Sequence, residues 1–129
     1  MKWARMNNVS IAFFDLFRKF SMTDKIVVLS TCATEAEAEA LARSMVEQRL
    51  AACVNVIPRI RSYYRWKGAL ESADECLLFI KSSRDRFPQL MAALEKAHSY
   101  EVPEVLALQV VDGAANYLNW LEASVADET

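Results

Sequence analysis

Ile60-Arg61-Ser62-Tyr63-Tyr64-Arg65-Trp66-Lys67-Gly68, with the return run from Leu70 to Ser82, decides the architecture of this 129-residue chain. Ile60, Ser62, Tyr64 and Trp66 fall on one face, and Arg59, Arg61, Tyr63 and Arg65 on the other. That two-residue period is a β-strand signal. Lys67-Gly68 is a two-residue turn candidate, with glycine supplying the positive φ that a tight hairpin requires. The return strand ends in the apolar run Cys76-Leu77-Leu78-Phe79-Ile80. A hairpin this long projects beyond a small core. Aromatic residues on its outer half, near Trp66 and Gly68, call for a cover, and another copy of the chain is the expected one.

Upstream, Cys53-Val54-Asn55-Val56-Ile57 begins the same strand, and Pro58, which cannot donate to a ladder, marks a bulge or an edge. Ile26 to Thr31 is a β-branched run that reads as a central strand buried on both faces. Thr34-Glu35-Ala36-Glu37 is a capping box that opens a helix running to about Leu50, with Ala38, Leu41, Ala42 and Met45 inward. Downstream, Ser83 or Asp85 caps a second helix with Phe87, Leu90, Met91 and Leu94 as its apolar stripe. Glu104 to Val111 is a fourth strand, and Ala114 to about Ala123 a last helix. The order β-α-β-β-α-β plus a terminal helix predicts an α+β, ferredoxin-like domain over residues 23–129, an antiparallel sheet with both crossover helices on one face.

Bulk properties exclude several classes. Net charge is −2 but uneven. Residues 1–22 carry Lys2, Arg5, Arg18 and Lys19 against Asp15, leaving the body with 11 bases against 16 acids. An acidic body is a poor nucleic-acid binder, since phosphate affinity comes from clustered Lys and Arg. The apolar patch around Ile11–Phe17 is too short to span a bilayer, so no membrane association is expected. Phe13, Phe17 and Phe20 sit at helical spacing, and residues 1–22 read as an N-terminal extension, with Met22 a candidate start. Cys32, Cys53 and Cys76 lie far apart with no Cys-x-x-Cys, which fits free thiols in a reducing compartment. Two glycines cannot build a phosphate loop, and neither Gly-x-Ser-x-Gly nor His-Glu-x-x-His occurs.

The lone histidine opens His98-Ser99-Tyr100-Glu101-Val102-Pro103-Glu104, a polar joint between helix and strand. Three roles compete for it: a helix-terminal residue, favoured by the macrodipole; a metal ligand, with partners among Cys32, Cys53, Glu101 and Glu104; or an acid–base group in a cleft. Glu101 and Glu104 read either as paired carboxylates or as solvated loop charges. Arg59, Arg61 and Arg65 form the one basic stripe of the body, expected to pair with acidic residues of a neighbouring subunit.

Four blocks then occur in order: Ala51–Pro58, Ser62–Gly68, His98–Glu104 and Tyr117-Leu118-Asn119-Trp120. Together, over roughly residues 25–124, they resemble the CutA divalent-cation tolerance family. The resemblance implies a PII-like homotrimer in the cytoplasm, linked to tolerance of divalent metals including copper, with no catalysed reaction. Where the family's copper site has been assigned, it uses a cysteine late in strand one and two adjacent histidines before a Pro-Tyr pair. Here Ser30 holds the strand position, with Cys32 two residues later on the same face, and Ala97 holds the first histidine position. His98 and Cys32 are therefore the metal candidates, for copper or another divalent ion. Ser99 in place of proline predicts a less rigid loop. Cys53, Tyr64, Trp66, Tyr100, Glu101 and Trp120 are expected around an inter-subunit cleft. The expected function is a non-enzymatic, metal-responsive trimeric module. The alternative is a PII-like small-ligand sensor that signals through a protein partner.

Overall fold

The computed structural model describes residues 23–127. The N-terminal extension with its Phe13-Phe17-Phe20 stripe, and residues 128–129, lie outside the described residues. Strand β1 (Lys25–Cys32) leads to helix α1 (Glu35–Glu47), the long hairpin β2 (Cys53–Trp66) and β3 (Ala69–Ser83), and a short 3-10 turn (Arg84–Arg86). Helix α2 (Phe87–Ala97), strand β4 (Leu106–Gln109) and helix α3 (Ala115–Val125) complete the chain. The sheet order is β2-β3-β1-β4, with every pairing antiparallel. This is the split β-α-β arrangement that the element order predicted.

Alternation along β1 and β3 sorts the core. Ile26, Val28 and Cys32 on β1, with Cys76, Leu78 and Ile80 on β3, face α1 and α2. Ala38, Leu41 and Met45 of α1 and Leu90 and Leu94 of α2 close on them. The opposite face of β1 is only half-buried, so the strand is not enclosed on both sides as its β-branched run predicted. Helix α3 reaches that opposite side. Lys25 pairs there with Glu122, and Lys81 lies 5.7 Å from the ring centre of Tyr117.

Several element ends differ from the sequence reading. Helix α1 stops at Glu47 because Arg49 adopts φ 59° and turns the chain. Neither Ser83 nor Asp85 caps α2: the 3-10 turn intervenes, and Pro88 sits in the first turn of a helix with no side-chain cap. Strand β4 is four residues, half the predicted run. Helix α3 extends to Val125, which joins Leu121 and Ala52 in a second small core. Its C-terminal carbonyls are met by two arginines from elsewhere: Arg49 donates to Ala123 and Ala126, and Arg86 to Val125.

Pro58 does mark a bulge. Ile57 pairs with Leu77 and Ile60 with Glu75, so β2 carries one extra residue, and Arg59 there has φ 59°. The bulge shifts the phase of β2. Cys53, Asn55 and Ile57 lie on one face before it, and Ile60, Ser62, Tyr64 and Trp66 continue that face after it. At the tip, Lys67 (φ 49°) and Gly68 (φ 80°) make the two-residue turn with positive φ at both positions.

Candidate functional site

The phase set by the bulge puts Ser62, Tyr64 and Trp66 of β2 beside Glu71 and Glu75 of β3 on one side of the ribbon. The 98–104 segment crosses over the base of that side. Between them lies a cleft of about 780 Å³. Tyr63, Tyr64, Trp66 and Tyr100 supply its aromatic walls, and Glu71, Glu75, Glu101 and Glu104 its carboxylates; among the described residues no Lys or Arg lines it. Thr31, Ser62, Ser99, Val102 and Pro103 complete it.

Helix α2 ends on His98, whose N–H donates to the Leu94 carbonyl at 2.9 Å. The imidazole side chain is fully buried. Its Nε2 lies 2.7 Å from the Thr31 carbonyl, and its Nδ1 receives the Tyr100 N–H at 3.0 Å. A carbonyl only accepts and an amide N–H only donates, so the bonding assigns the proton to Nε2 and a committed lone pair to Nδ1. Both nitrogens are used by backbone. His98 thus pins the loop to the end of β1, the helix-terminal role among the three considered.

Tyr100 follows on. Its ring packs 4.8 Å from that of His98, and its hydroxyl donates to Glu75 Oε2 at 2.7 Å. Burial, reinforced by the Glu75 carboxylate, pushes the Tyr100 phenol above its ordinary range, so it stays a donor. Glu75 is itself only 7% exposed, and this bond holds its carboxylate at the cleft wall.

Glu37 departs from the capping box. Thr34 Oγ1 accepts the Glu37 N–H at 3.1 Å as expected. The Glu37 carboxylate instead takes the Ala33 N–H and, from Ser99, both the N–H and the hydroxyl. Burial alone would raise the Glu37 carboxyl; the Ser99 and Ala33 hydrogen bonds hold it below the usual carboxylate range. The loop expected to be less rigid is tied down by the residue that replaced proline.

Of the residues expected at the cleft, Tyr64, Trp66, Tyr100 and Glu101 come together in one chain. Cys53 lies at the far end of the same face of β2, its Sγ 3.7 Å from Asn55 Oδ1. Trp120 is on α3, half-exposed and stacked 5.4 Å from Tyr117. Cys32 is buried, and its thiol donates to the Thr34 carbonyl at 3.6 Å. The thiol and the engaged imidazole do not fit a shared metal site, and among the described residues no three His, Cys, Asp or Glu side chains converge on one point. Sequence reading missed Glu71 and Glu75, because only the bulged register places them opposite Tyr64 and Ile60. Arg61 meets Asp74 of its own hairpin at 3.0 Å.

A sequence model of the CutA1 divalent ion tolerance protein family matches residues 26–124. The chain belongs to this family. The divalent-cation tolerance protein CutA of Thermus thermophilus is 43% identical over 95 residues, covering 74% of this chain and 92% of that one. Human protein CutA is 47% identical over 91 residues, covering 70% of this chain and 51% of its own length. Among solved structures, CutA from Xylella fastidiosa superposes with a TM-score of 0.79 at 36% identity, covering 81% of this chain and all of that one. A relative from Archaeoglobus fulgidus, described as periplasmic, gives 0.77 at 30% identity over 79% of this chain and 99% of its own. The CutA1 match spans the four strands and three helices of the described residues, except Lys25 at the start of β1 and Val125 at the end of α3, and it includes the cleft. Among the described residues no helix is long and apolar enough to cross a membrane.

Proposed function

We propose that this CutA1-family chain is a homotrimeric, non-enzymatic module of divalent-cation tolerance, working in the cytoplasm and taking its cation at the hairpin cleft. One observation carries this reading: among the described residues, four glutamates and no basic side chain face an aromatic wall in a cleft of about 780 Å³. Uncompensated carboxylates focus cations. The trimer draws support from apolar side chains left uncovered in the single chain. Leu70 at the hairpin tip is 76% exposed, Tyr63 70%, and Leu106 on the edge strand β4 54%. Such surface on a projecting ribbon and a sheet edge is normally buried by association. Copper is the ion to test first. Titration calorimetry with copper(II) should show binding that weakens at least tenfold in Glu71→Gln/Glu104→Gln and survives His98→Ala. Equal binding by the wild type and the double variant would overturn the site, and a monomer in sedimentation equilibrium would overturn the assembly.

A second reading has its own support. The cleft has the size of small-molecule pockets, and its carboxylates do not converge as metal ligands do. That favours a PII-like sensor of a small organic ligand, signalling through a protein partner. A melting temperature raised by an organic cation, and left unchanged by copper(II), would favour this reading over the first.

A further inference from the structure

Cys32 and Cys76 are directly opposed partners in the β1–β3 ladder. Both are free thiols and both are buried. Residues opposed in an antiparallel pair project to the same face, here the one that α1 and α2 cover. The ladder also fixes their spacing. The Arg84 N–H donates to the Asp24 carbonyl. Cys32–Cys76 lies an even number of steps along the register from that pair, so it falls on the same hydrogen-bonded phase. That phase is the wider one, with Cα atoms about 5.5 Å apart. Cβ atoms of opposed residues stand roughly 4.5–5.5 Å apart, against about 3.5–4.5 Å in a disulfide. The frame leaves room for something between the sulfurs.

We propose that Cys32 and Cys76 form a two-thiol site for a soft divalent cation, held between the two sulfurs inside the core.

Three observations select that ion class. No third His, Cys, Asp or Glu side chain converges here among the described residues, and both nitrogens of His98 are engaged by backbone. Zinc, which takes four ligands in structural sites, is left half-coordinated. A thiophilic ion content with two ligands is satisfied. The charge balance then favours a divalent over a monovalent ion. Two S–H bonds break, two metal–sulfur bonds form, and two protons leave to solvent, so the complex of a divalent ion is neutral. A monovalent ion would leave a net negative charge in an apolar core with Glu37 and Glu75 close by. Burial, with Glu37, Cys76 and Glu75 adding to it, already pushes the Cys32 thiol up to about 11. Access is from the strand end, where Cys32 is the last residue of β1 and the next residue, Ala33, is exposed.

Mercury(II) is the probe, added to the full chain carrying Cys53→Ser so that the half-exposed Cys53 thiol does not compete. With excess soluble monothiol present, one ion per chain should be retained, with a thiolate-to-metal absorption band in the ultraviolet. Cys32→Ala and Cys76→Val should each lose that retention by at least 100-fold, and circular dichroism checks that each variant is folded. Two variants at two positions keep the test decisive if one of them misfolds. Retention by either folded single-thiol variant equal to that of the pair would overturn the proposal. Zinc(II) retained as tightly as mercury(II) would overturn the two-ligand assignment.

Discussion

Ser99 holds both oxygens of Glu37, its N–H donating to Oε2 at 2.8 Å and its hydroxyl to Oε1 at 2.9 Å. Two elements far apart in sequence, the first turn of α1 and the loop after α2, are joined through one carboxylate. Proline at position 99 would remove both donors at once. Ser99→Pro should destabilise this chain by about 1–3 kcal/mol, the range for hydrogen bonds to a charged group. Urea unfolding checks it, and an unchanged midpoint would mean that the clamp contributes nothing net.

The same clamp sets a pH dependence. The Glu37 carboxyl is lowered from 4.5 in the folded chain, so its contribution is complete above that value. It is lost as pH falls through the folded value, because the unfolded chain then binds the proton first. Glu37→Gln should therefore cost stability at pH 7 and progressively less below pH 4.5, as read from urea midpoints at each pH. A gap between the two proteins that stays constant down to pH 3 would rule the linkage out.

Tyr100 and Glu75 form the polar floor of the cleft. Tyr100→Phe leaves the buried Glu75 carboxylate without its donor, at a cost of about 1–3 kcal/mol. The double variant Tyr100→Phe/Glu75→Gln should recover part of that loss. Thermal unfolding of the three variants provides the cycle, and strict additivity would show that the two side chains are not coupled.

Ser30 is fully buried, and its hydroxyl has no partner among the described residues. An unpaired buried hydroxyl costs about 1–3 kcal/mol. Ser30→Ala should thus raise stability by about 1 kcal/mol once the smaller side chain's lost packing is included. A drop in the melting temperature of this variant would show that packing outweighs the unpaired hydroxyl.

At the hairpin tip, Lys67 takes a positive φ that asparagine adopts more readily. Lys67→Asn should stabilise the chain by roughly 0.5 kcal/mol with no change in the cleft. A lower unfolding midpoint would mean that the Lys67 ammonium, 5.7 Å from the Trp66 ring centre, matters more than the backbone.

The fold was legible because its signals are periodic. Alternation over Ile60–Trp66, the 3.6-residue stripes at Ala38–Met45 and Phe87–Leu94, and Lys67-Gly68 each act locally, and each specified its element. The parts that escaped depend on register and long-range pairing. Glu71 and Glu75 carry no local mark of a cleft; they reach it through one extra residue at Arg59. The Glu37 carboxylate looked like half of a capping box because its other partner, Ser99, is 62 residues away. His98 drew attention as the lone imidazole, yet backbone groups of β1 and of its own loop claimed both of its nitrogens.

The extra residue between Ile57 and Ile60 has a consequence for how this ribbon can vary over evolutionary time. Beyond the bulge, each arm can lengthen or shorten by two residues and still present the same row inward. Loss of one residue beyond the bulge, such as Arg61, would turn the arm inside out, exchanging Tyr64 and Trp66 for Tyr63 and Arg65, whereas loss of the extra residue Arg59 would only iron out the bulge. Insertions and deletions in this arm are therefore tolerated by parity rather than by size. One missing codon beyond the bulge of β2 should do more harm to the cleft than two.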